Sequence, residues 1–165
     1  MNGNPDPLAP VHVFNFEVSF FEDPLDSDSA RGADVPMCGG AFSECTGLEA
    51  TMEPKVIKEG GRNYGAAQRA GPVTFATVIL KRGMTTNGDL WEWFERMTSG
   101  EYARRLGARI QIRNGAQNAE PVMEWRLKNV MPIKFKTADL NAKATEVGIE
   151  ELHLAHEGLS LISRG

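Results

Sequence analysis

The chain has 165 residues, of which 41% are hydrophobic and 24% are charged, and its formal net charge is -4 at pH 7. This size and composition predict one soluble globular domain over residues 1–165 and exclude wholesale disorder. The negative charge argues against a general nucleic-acid-binding groove, because such a groove needs clustered Lys and Arg side chains.

The first predicted element is a strand within residues 11–21. Hydrophobic side chains occupy every second position there, which is the period of a half-buried strand: Phe14, Phe16, Val18 and Phe20. Residues 22–36 are rich in Asp, Ser, Gly and Pro and predict a long exposed loop. Loops of this length in compact domains are usually functional or mobile.

Two further strands are predicted over residues 41–45 and 50–58, and Pro54 marks an edge or bulge position because it cannot donate to a ladder. Residues 58–72 contain too much glycine for a helix. They predict the tip of a long hairpin whose second strand lies within residues 73–80.

One helix is predicted, over residues 88–99. Thr86 or Asn87 is the expected N-cap, Asp89 complements the helix dipole, and Gly100 provides the stop. Apolar side chains share one face of this helix and are expected to pack on a sheet: Leu90, Trp93, Phe94 and Met97.

The last third of the chain returns to strands, at residues 109–113, 123–130, 133–136 and 144–156. In the second of these, apolar and charged residues alternate, which predicts one dry and one wet face. In the last one the apolar parity changes, which predicts a β-bulge at Glu150-Glu151. About eight short strands and one flanking helix are typical of a mainly β fold, a small antiparallel barrel or sandwich.

The sequence offers no clear constellation for chemistry. Cys38 and Cys45 lack the spacing of a zinc site and are expected to be buried free thiols. His153 and His156 do not follow the His-Glu-x-x-His order of a metalloprotease helix, and in a strand they point to opposite faces. We therefore predict no metal, no cofactor and no enzymatic activity. A monomeric β-barrel enzyme or ligand binder that uses the two histidines is the alternative.

Targeting signals are also not evident. Residues 1–7 lack a basic region followed by an apolar run, and no segment approaches the roughly 18 apolar residues of a membrane span. The chain is expected to fold in the cytoplasm and to have no membrane partner.

Five short motifs occur in a fixed order along the chain: Phe16-Glu17-Val18, Ala41 to Leu48, Val78 to Gly83, Leu90-Trp91-Glu92-Trp93 and Leu154 to Leu159. Together they resemble the tube proteins of contractile phage tails and their relatives in extracellular contractile injection systems and tailocins. The resemblance extends over nearly the whole chain. Each motif is weak alone, whereas the ordered set is specific.

This resemblance implies a fold related to the type VI secretion tube subunit, and hexameric rings whose sheets join edge to edge around a channel. It implies partners as well: further copies of the chain, a sheath protein, the baseplate and spike, and a second tube paralogue. The lumen of such a tube holds a tape measure protein, effector cargo or DNA. Whether the particle is a phage, a tailocin or an injection system stays open at this point.

Three groups of residues are predicted to mediate assembly. Ring-to-ring contacts are expected from the 22–36 loop and the 58–72 hairpin tip, at Asp26, Asp28, Asp34, Arg62, Asn63 and Tyr64. The second group is Lys81, Arg82 and Gly83. The charges of Lys81 and Arg82 are expected to pair across the subunit interface, and Gly83 is expected to allow a tight exit from the strand into the helix. The outer side of the helix is expected to face the sheath, or else only solvent, at Glu92, Glu95 and Arg96.

Overall fold

The computed structural model describes residues 9–22, 34–35, 41–100, 106–113 and 120–162. In these residues twelve strands and one helix form. The helix α1 is Asp89–Thr98. The strands are Phe16–Glu22 (β1), Asp34–Val35 (β2), Glu44–Thr46 (β3), Ala50–Met52 (β4), Lys55–Ile57 (β5), Ala67–Arg69 (β6), Val73–Phe75 (β7), Val78–Gly83 (β8), Leu106–Arg113 (β9), Pro121–Lys136 (β10), Ile149–Ala155 (β11) and Gly158–Ile162 (β12).

Eight strands form one antiparallel sheet in the order β2-β1-β9-β10-β11-β8-β3, with β12 also paired to β10. The first half of β10 pairs with β9 and β12, and its second half pairs with β11. We call the layer β2-β1-β9-β10-β12 sheet I and the layer β10-β11-β8-β3 sheet II. Within the described residues the path does not close into a barrel, because β2 and β3 lie at its two ends.

The two sheets meet where β10 is irregular. Its register shifts between Leu127 and Val130 and again between Pro132 and Lys134. Asn129 lies within the first of these shifts and has a φ of 49°, a left-handed conformation that Asn tolerates better than most residues. Such irregularities bend a strand, so β10 can leave one layer and enter the other.

One hydrophobic core fills the space between the sheets and α1. Trp93 of α1 packs edge-on against Phe20 of sheet I, with ring centroids 5.0 Å apart. The same cluster includes buried side chains of both sheets: Val18, Ala108, Ile110, Leu127, Val78, Leu80, Leu152 and Leu154. The mainly β, antiparallel fold with one flanking helix is therefore confirmed.

Several boundaries differ from those expected. The first strand begins at Phe16, and Phe14 is exposed. The strand predicted over residues 50–58 is interrupted at Glu53-Pro54, where β4 ends and β5 follows. The strands predicted at 123–130 and 133–136 are one continuous strand. β12 was not predicted as a separate element.

Two local predictions are wrong. β11 pairs with β8 in unbroken register from Ile149 to Leu154, so no bulge lies at Glu150-Glu151. The N-cap of α1 is Gly88, without a side-chain capping hydrogen bond, rather than Thr86 or Asn87. Asp89 instead accepts a hydrogen bond from the backbone N–H of Leu90 at 2.9 Å.

The end of α1 agrees with its prediction. Gly100 follows the helix with a φ of 94°, and its N–H donates to the carbonyl of Met97 at 3.5 Å. Of the predicted 22–36 loop, Glu22 belongs to β1 and residues 34–35 form β2. Residues 23–33, like Cys38, lie outside the described residues. No helix in the described ranges is long and apolar enough to cross a bilayer.

Candidate assembly surfaces

A buried ionic cluster joins sheet II to the start of α1. Arg82 is only 1% exposed, and its guanidinium donates to Glu150 of β11 at 2.5 Å and to Asp89 of α1 at 2.6 Å. The Phe42 ring lies beneath the guanidinium, 5.9 Å from its centroid. Burial alone would lower the pKa of Arg82, but the bonds to both carboxylates outweigh it and raise that pKa. Arg82 therefore stays charged at ordinary pH.

This cluster corrects the prediction that the Arg82 charge pairs across a subunit interface. Strand alternation directs Arg82 to the same side as Leu80, into the core, and its ion pairs with Asp89 and Glu150 lie within the same chain. Gly83 is the last residue of β8 and lacks a left-handed φ, so it is not required for a tight exit.

Lys81 lies on the opposite, outer side of sheet II. It pairs with Glu44 of β3 at 3.2 Å, and both side chains are partly exposed. The strand register extends this row to Glu151 of β11 and Lys136 of β10, so charges of alternating sign cross the sheet. His153 and then the Lys81 and Lys136 charges lower the pKa of Glu151. The row is thus neutralised within the subunit but stays accessible.

A second ionic network lies on the face of sheet I that is turned away from the core. Glu124 is 0% exposed, although its position on β10 predicted a wet face. Its carboxylate accepts from Arg126 at 2.6 Å and from Gln111 at 2.9 Å, and Arg109 lies 3.5 Å away. Burial would raise the pKa of Glu124, but these hydrogen bonds and charges outweigh it and lower that pKa.

The same network continues to β1. Arg113 donates to Gln111 at 3.2 Å and to Glu17 at 2.8 Å. Side chains of three neighbouring strands are therefore linked to one another across this face. The bonds of Arg113 to Glu17 and of Arg126 to Glu124 join charged groups, and hydrogen bonds of this kind are stronger than those between neutral groups.

Both sides of sheet I carry open edges in the described part of the chain. β12 pairs with β10 on one side, and no described strand pairs with its other side. At the opposite side, β2 covers only Phe20 and Phe21 of β1. The preceding residues 16–19 have a strand partner only in β9. Such unpaired edges are templates for pairing with another chain.

The predicted long hairpin forms, but β6 lies inside the predicted 58–72 tip, and the predicted strand within residues 73–80 divides into β7 and β8. β4 pairs with β7 and β5 pairs with β6, so residues 50–75 form two antiparallel ribbon segments. We call these residues the arm. At its base Gly47 has a φ of 87°, and a Cβ there would overlap the carbonyl of Thr77. At its tip Tyr64 is 94% exposed, and large apolar side chains along the ribbon are also exposed: Met52, Val56 and Val73.

The outer side of α1 combines charges with an aromatic residue. Glu92 accepts from Arg96 at 2.6 Å, and both side chains are exposed. Trp91 is 49% exposed, and its ring lies 5.7 Å from those of Phe94 and Phe135. The surface that was predicted to face a partner is therefore polar at Glu92 and Arg96 and apolar at Trp91.

The histidines and the described cysteine have ordinary surroundings. His153 lies 3.2 Å from Glu151, while His156 contacts the Gly158 carbonyl at 3.0 Å and the Phe75 ring at 5.1 Å. Cys45 is a half-buried free thiol, and burial raises its pKa to about 11. In the ranges that the structure describes, no group of at least three His, Cys, Asp or Glu side chains is arranged to hold a metal ion.

Solved structures share this fold. A chain of the sixfold-symmetrised anti-feeding prophage baseplate superposes with a TM-score of 0.73 and 24% identity, covering 94% of this chain and 97% of that one. A chain of the sheath-tube complex of PVC, an extracellular contractile injection system, superposes with a TM-score of 0.72 and 18% identity. The match covers 96% of this chain and 95% of that one. A type six secretion system protein superposes with a TM-score of 0.50 and 8% identity. The match covers 89% of this chain and 83% of that one.

No curated protein matches the sequence. The family model described as T4-like virus tail tube protein gp19 matches residues 12–160. That match includes both sheets, the arm and α1, and it confirms the resemblance that the ordered motifs indicate. The chain belongs to the T4-like virus tail tube protein gp19 family.

Proposed function

We propose that this chain is the structural subunit of a tail tube, in which copies close into hexameric rings and the rings stack into a hollow conduit. The pair of open edges on opposite sides of sheet I carries the proposal. A ring of identical subunits needs two different surfaces that bind each other. Pairing the β12 edge of one copy with the β1 edge of the next fulfils this need and protects both edges. Sixfold symmetry in the related baseplate supports the hexamer.

The subunit interface includes Lys81 and Gly83 on the outer side of sheet II. The Lys81–Glu44 pair is partly exposed, and such pairs contribute about 0–1 kcal/mol, so Lys81 can exchange its partner for a carboxylate of another copy at little cost. Arg82 supports this surface from inside the subunit.

Ring-to-ring contacts are made by the tip of the arm, at Arg62, Asn63 and Tyr64. The exposed tyrosine and the projecting ribbon support this assignment. The segment over residues 22–36 is the second contact in the proposal. Asp26 and Asp28 in it lie outside the described residues, and of Asp34 only the backbone pairing with β1 is described.

The lumen is lined by the face of sheet I that carries Glu124. In this arrangement charges of the channel wall are paired within the subunit, because Glu124 accepts from Arg126 and Gln111 while Glu17 accepts from Arg113. A wall whose charges are already paired attracts a moving polymer less than a wall of one sign. This property suits a passage for a tape measure protein, effector cargo or DNA.

The outer side of α1, at Glu92, Glu95 and Arg96, faces the sheath protein. A double Glu92→Lys and Glu95→Lys variant is expected to lower the amount of sheath bound to tubes at low ionic strength, because it reverses the charge of a polar contact surface. The difference should shrink at high salt, where exposed charges are screened. Co-sedimentation of tubes with purified sheath protein measures the amount of bound sheath at low and at high salt. Equal sheath binding by variant and parent at low salt would contradict this orientation of the helix.

The particle is a phage virion, a tailocin or an injection particle, assembled in the cytoplasm with baseplate, spike and a second tube paralogue. The likeness to a baseplate chain also suits a role as the baseplate-proximal ring itself. If a capsid gene lies near the gene of this chain, the particle is a phage, because only a phage needs a capsid.

Sedimentation and negative-stain imaging of the purified chain test the proposal. Rings or tubes are expected at high protein concentration. A monomer under these conditions, also in the presence of its baseplate, would contradict the tube. It would favour the alternative of a monomeric enzyme or ligand binder, for which His153→Ala and His156→Ala variants are the next test.

A further inference from the structure

The end of sheet II that lies away from the arm carries an exposed apolar patch. Met84 directly follows β8, and its N–H donates to the Gly148 carbonyl at 2.8 Å. Ile149 pairs with Gly83, and Val147 precedes it with 74% of its surface exposed. We call Met84, Val147 and Ile149 the end patch. All three are large hydrophobic residues that the described subunit leaves open to solvent.

The arm and the end patch lie at opposite ends of the same strand. β8 begins at Val78, directly after the arm, and ends at Gly83, beside the end patch. Six residues of strand span roughly 20 Å. When copies stack in one orientation along this strand direction, the arm of one copy points towards the end patch of the next. The two surfaces thus have the placement of the two halves of a head-to-tail contact.

The arm needs such a partner. An isolated two-stranded ribbon is marginally stable in water, and this one exposes Met52, Val56 and Val73. Apolar surface of this kind marks an interaction site when it is contiguous. Contact between the ribbon and the end patch therefore removes exposed apolar surface of both from water.

Charge also favours this pairing. The outer part of the arm, residues 55–69, carries four cationic side chains and one anionic side chain, Glu59. The loop beside the end patch, residues 137–148, carries two acids, Asp139 and Glu146, and one cation, Lys143. Opposite net charges steer two surfaces towards each other and disfavour contact between two arms.

We infer that the end patch is the receptor for the arm of a second copy of this chain in the adjacent ring. The inference rests on the proposed tube function and adds the receiving surface to it. The arm contributes Val56 and its neighbours as the inserted element, and Val147 is the most exposed member of the surface that it covers.

Two single variants and their mixture test this pairing. Val56→Glu places a carboxylate on the arm, and Val147→Glu places one on the end patch, both at exposed positions that the fold does not use. Each variant alone is expected to form rings that no longer stack. When the two kinds of ring are mixed, the intact arms of Val147→Glu rings can still dock on the intact end patches of Val56→Glu rings. The mixture is therefore expected to give pairs of rings and no longer tubes, as seen by sedimentation and negative-stain imaging.

Thr98→Glu at the end of α1 is the control, because it changes the net charge by the same amount as each test variant, at an exposed position that neither surface includes. It is expected to form tubes like the parent chain. Tubes of normal length from Val147→Glu, loss of rings in that variant, or rings that stay single in the mixture would each overturn the inference. Absence of rings from the parent chain would instead overturn the proposed tube function.

Discussion

Replacing Arg82 with Met is expected to lower the free energy of unfolding by about 3–5 kcal/mol, the cost of breaking a buried ion pair by removing one partner. The substitution leaves the Glu150 and Asp89 carboxylates, which are almost fully buried, without their shared cation. It also detaches the start of α1 from β8. Urea unfolding followed by tryptophan fluorescence measures the loss. Several protein concentrations are needed, since assembly adds concentration-dependent stability.

Lys81→Met is the matched control for this prediction. Lys81 is adjacent to Arg82 and also pairs with a glutamate. Its pair with Glu44 is partly exposed, so it is expected to contribute at most about 1 kcal/mol to the free energy of unfolding. Adding Glu150→Leu and Asp89→Asn to Arg82→Met removes the uncompensated carboxylates, so most of the lost stability should return. A loss below about 1 kcal/mol for Arg82→Met alone would show that the cluster does not hold these elements together.

Proline at one of two adjacent positions of β12 is expected to convert rings into dispersed, folded subunits. In an antiparallel ribbon the N–H groups of successive residues point to opposite sides. Of Ser160 and Leu161, one therefore directs its N–H towards β10 and the other towards the open edge. Proline lacks this donor, and a strand tolerates it where the N–H faces solvent.

The two proline variants should therefore differ in kind. The variant that removes the outward donor keeps the subunit fold and loses rings, whereas the variant that removes the inward donor loses stability because it weakens the β10–β12 ladder. Size-exclusion chromatography and far-UV circular dichroism separate the two outcomes. If both proline variants fold and form normal rings, the β12 edge does not pair with a neighbouring subunit.

Periodicity in the sequence predicts the elements that have one dry face. The apolar residues Val18 and Phe20 identify β1, and Leu90 with Trp93 identifies α1, because each pattern matches the period of its element. The arm is also predictable, since glycines separate two strand-like segments. In these places local pattern and tertiary burial agree.

The sequence misleads where charges lie on a buried face. Arg82 has the same strand parity as Val78 and Leu80, and Glu150 has that of Leu152 and Leu154. Parity alone thus places two opposite charges in the core, and their direct register makes them partners. The bulge that was expected at Glu150-Glu151 assumed that Val147 and Ile149 face the core like Leu152 and Leu154. Both are exposed, so the strand needs no bulge to keep Leu152 and Leu154 buried.

Other features depend on contacts that no local pattern records. Glu124 is buried because side chains of the adjacent strand β9 converge on it. β12 is short and follows β11 closely, so only its pairing with β10 distinguishes it from a continuation of that strand. The open edges and the end patch likewise become visible only when strand order is known.

The sixteen-residue strand β10 has a mechanical consequence. It runs through both sheets, so a load on one layer passes to the other through covalent backbone as well as through side-chain packing. The irregularity at Asn129 lies where β10 passes from one layer to the other, a position at which a flexible hinge would otherwise be expected. Ladder partners on either side of this residue brace it, so we expect the subunit to transmit a thrust along the particle axis as a single stiff body.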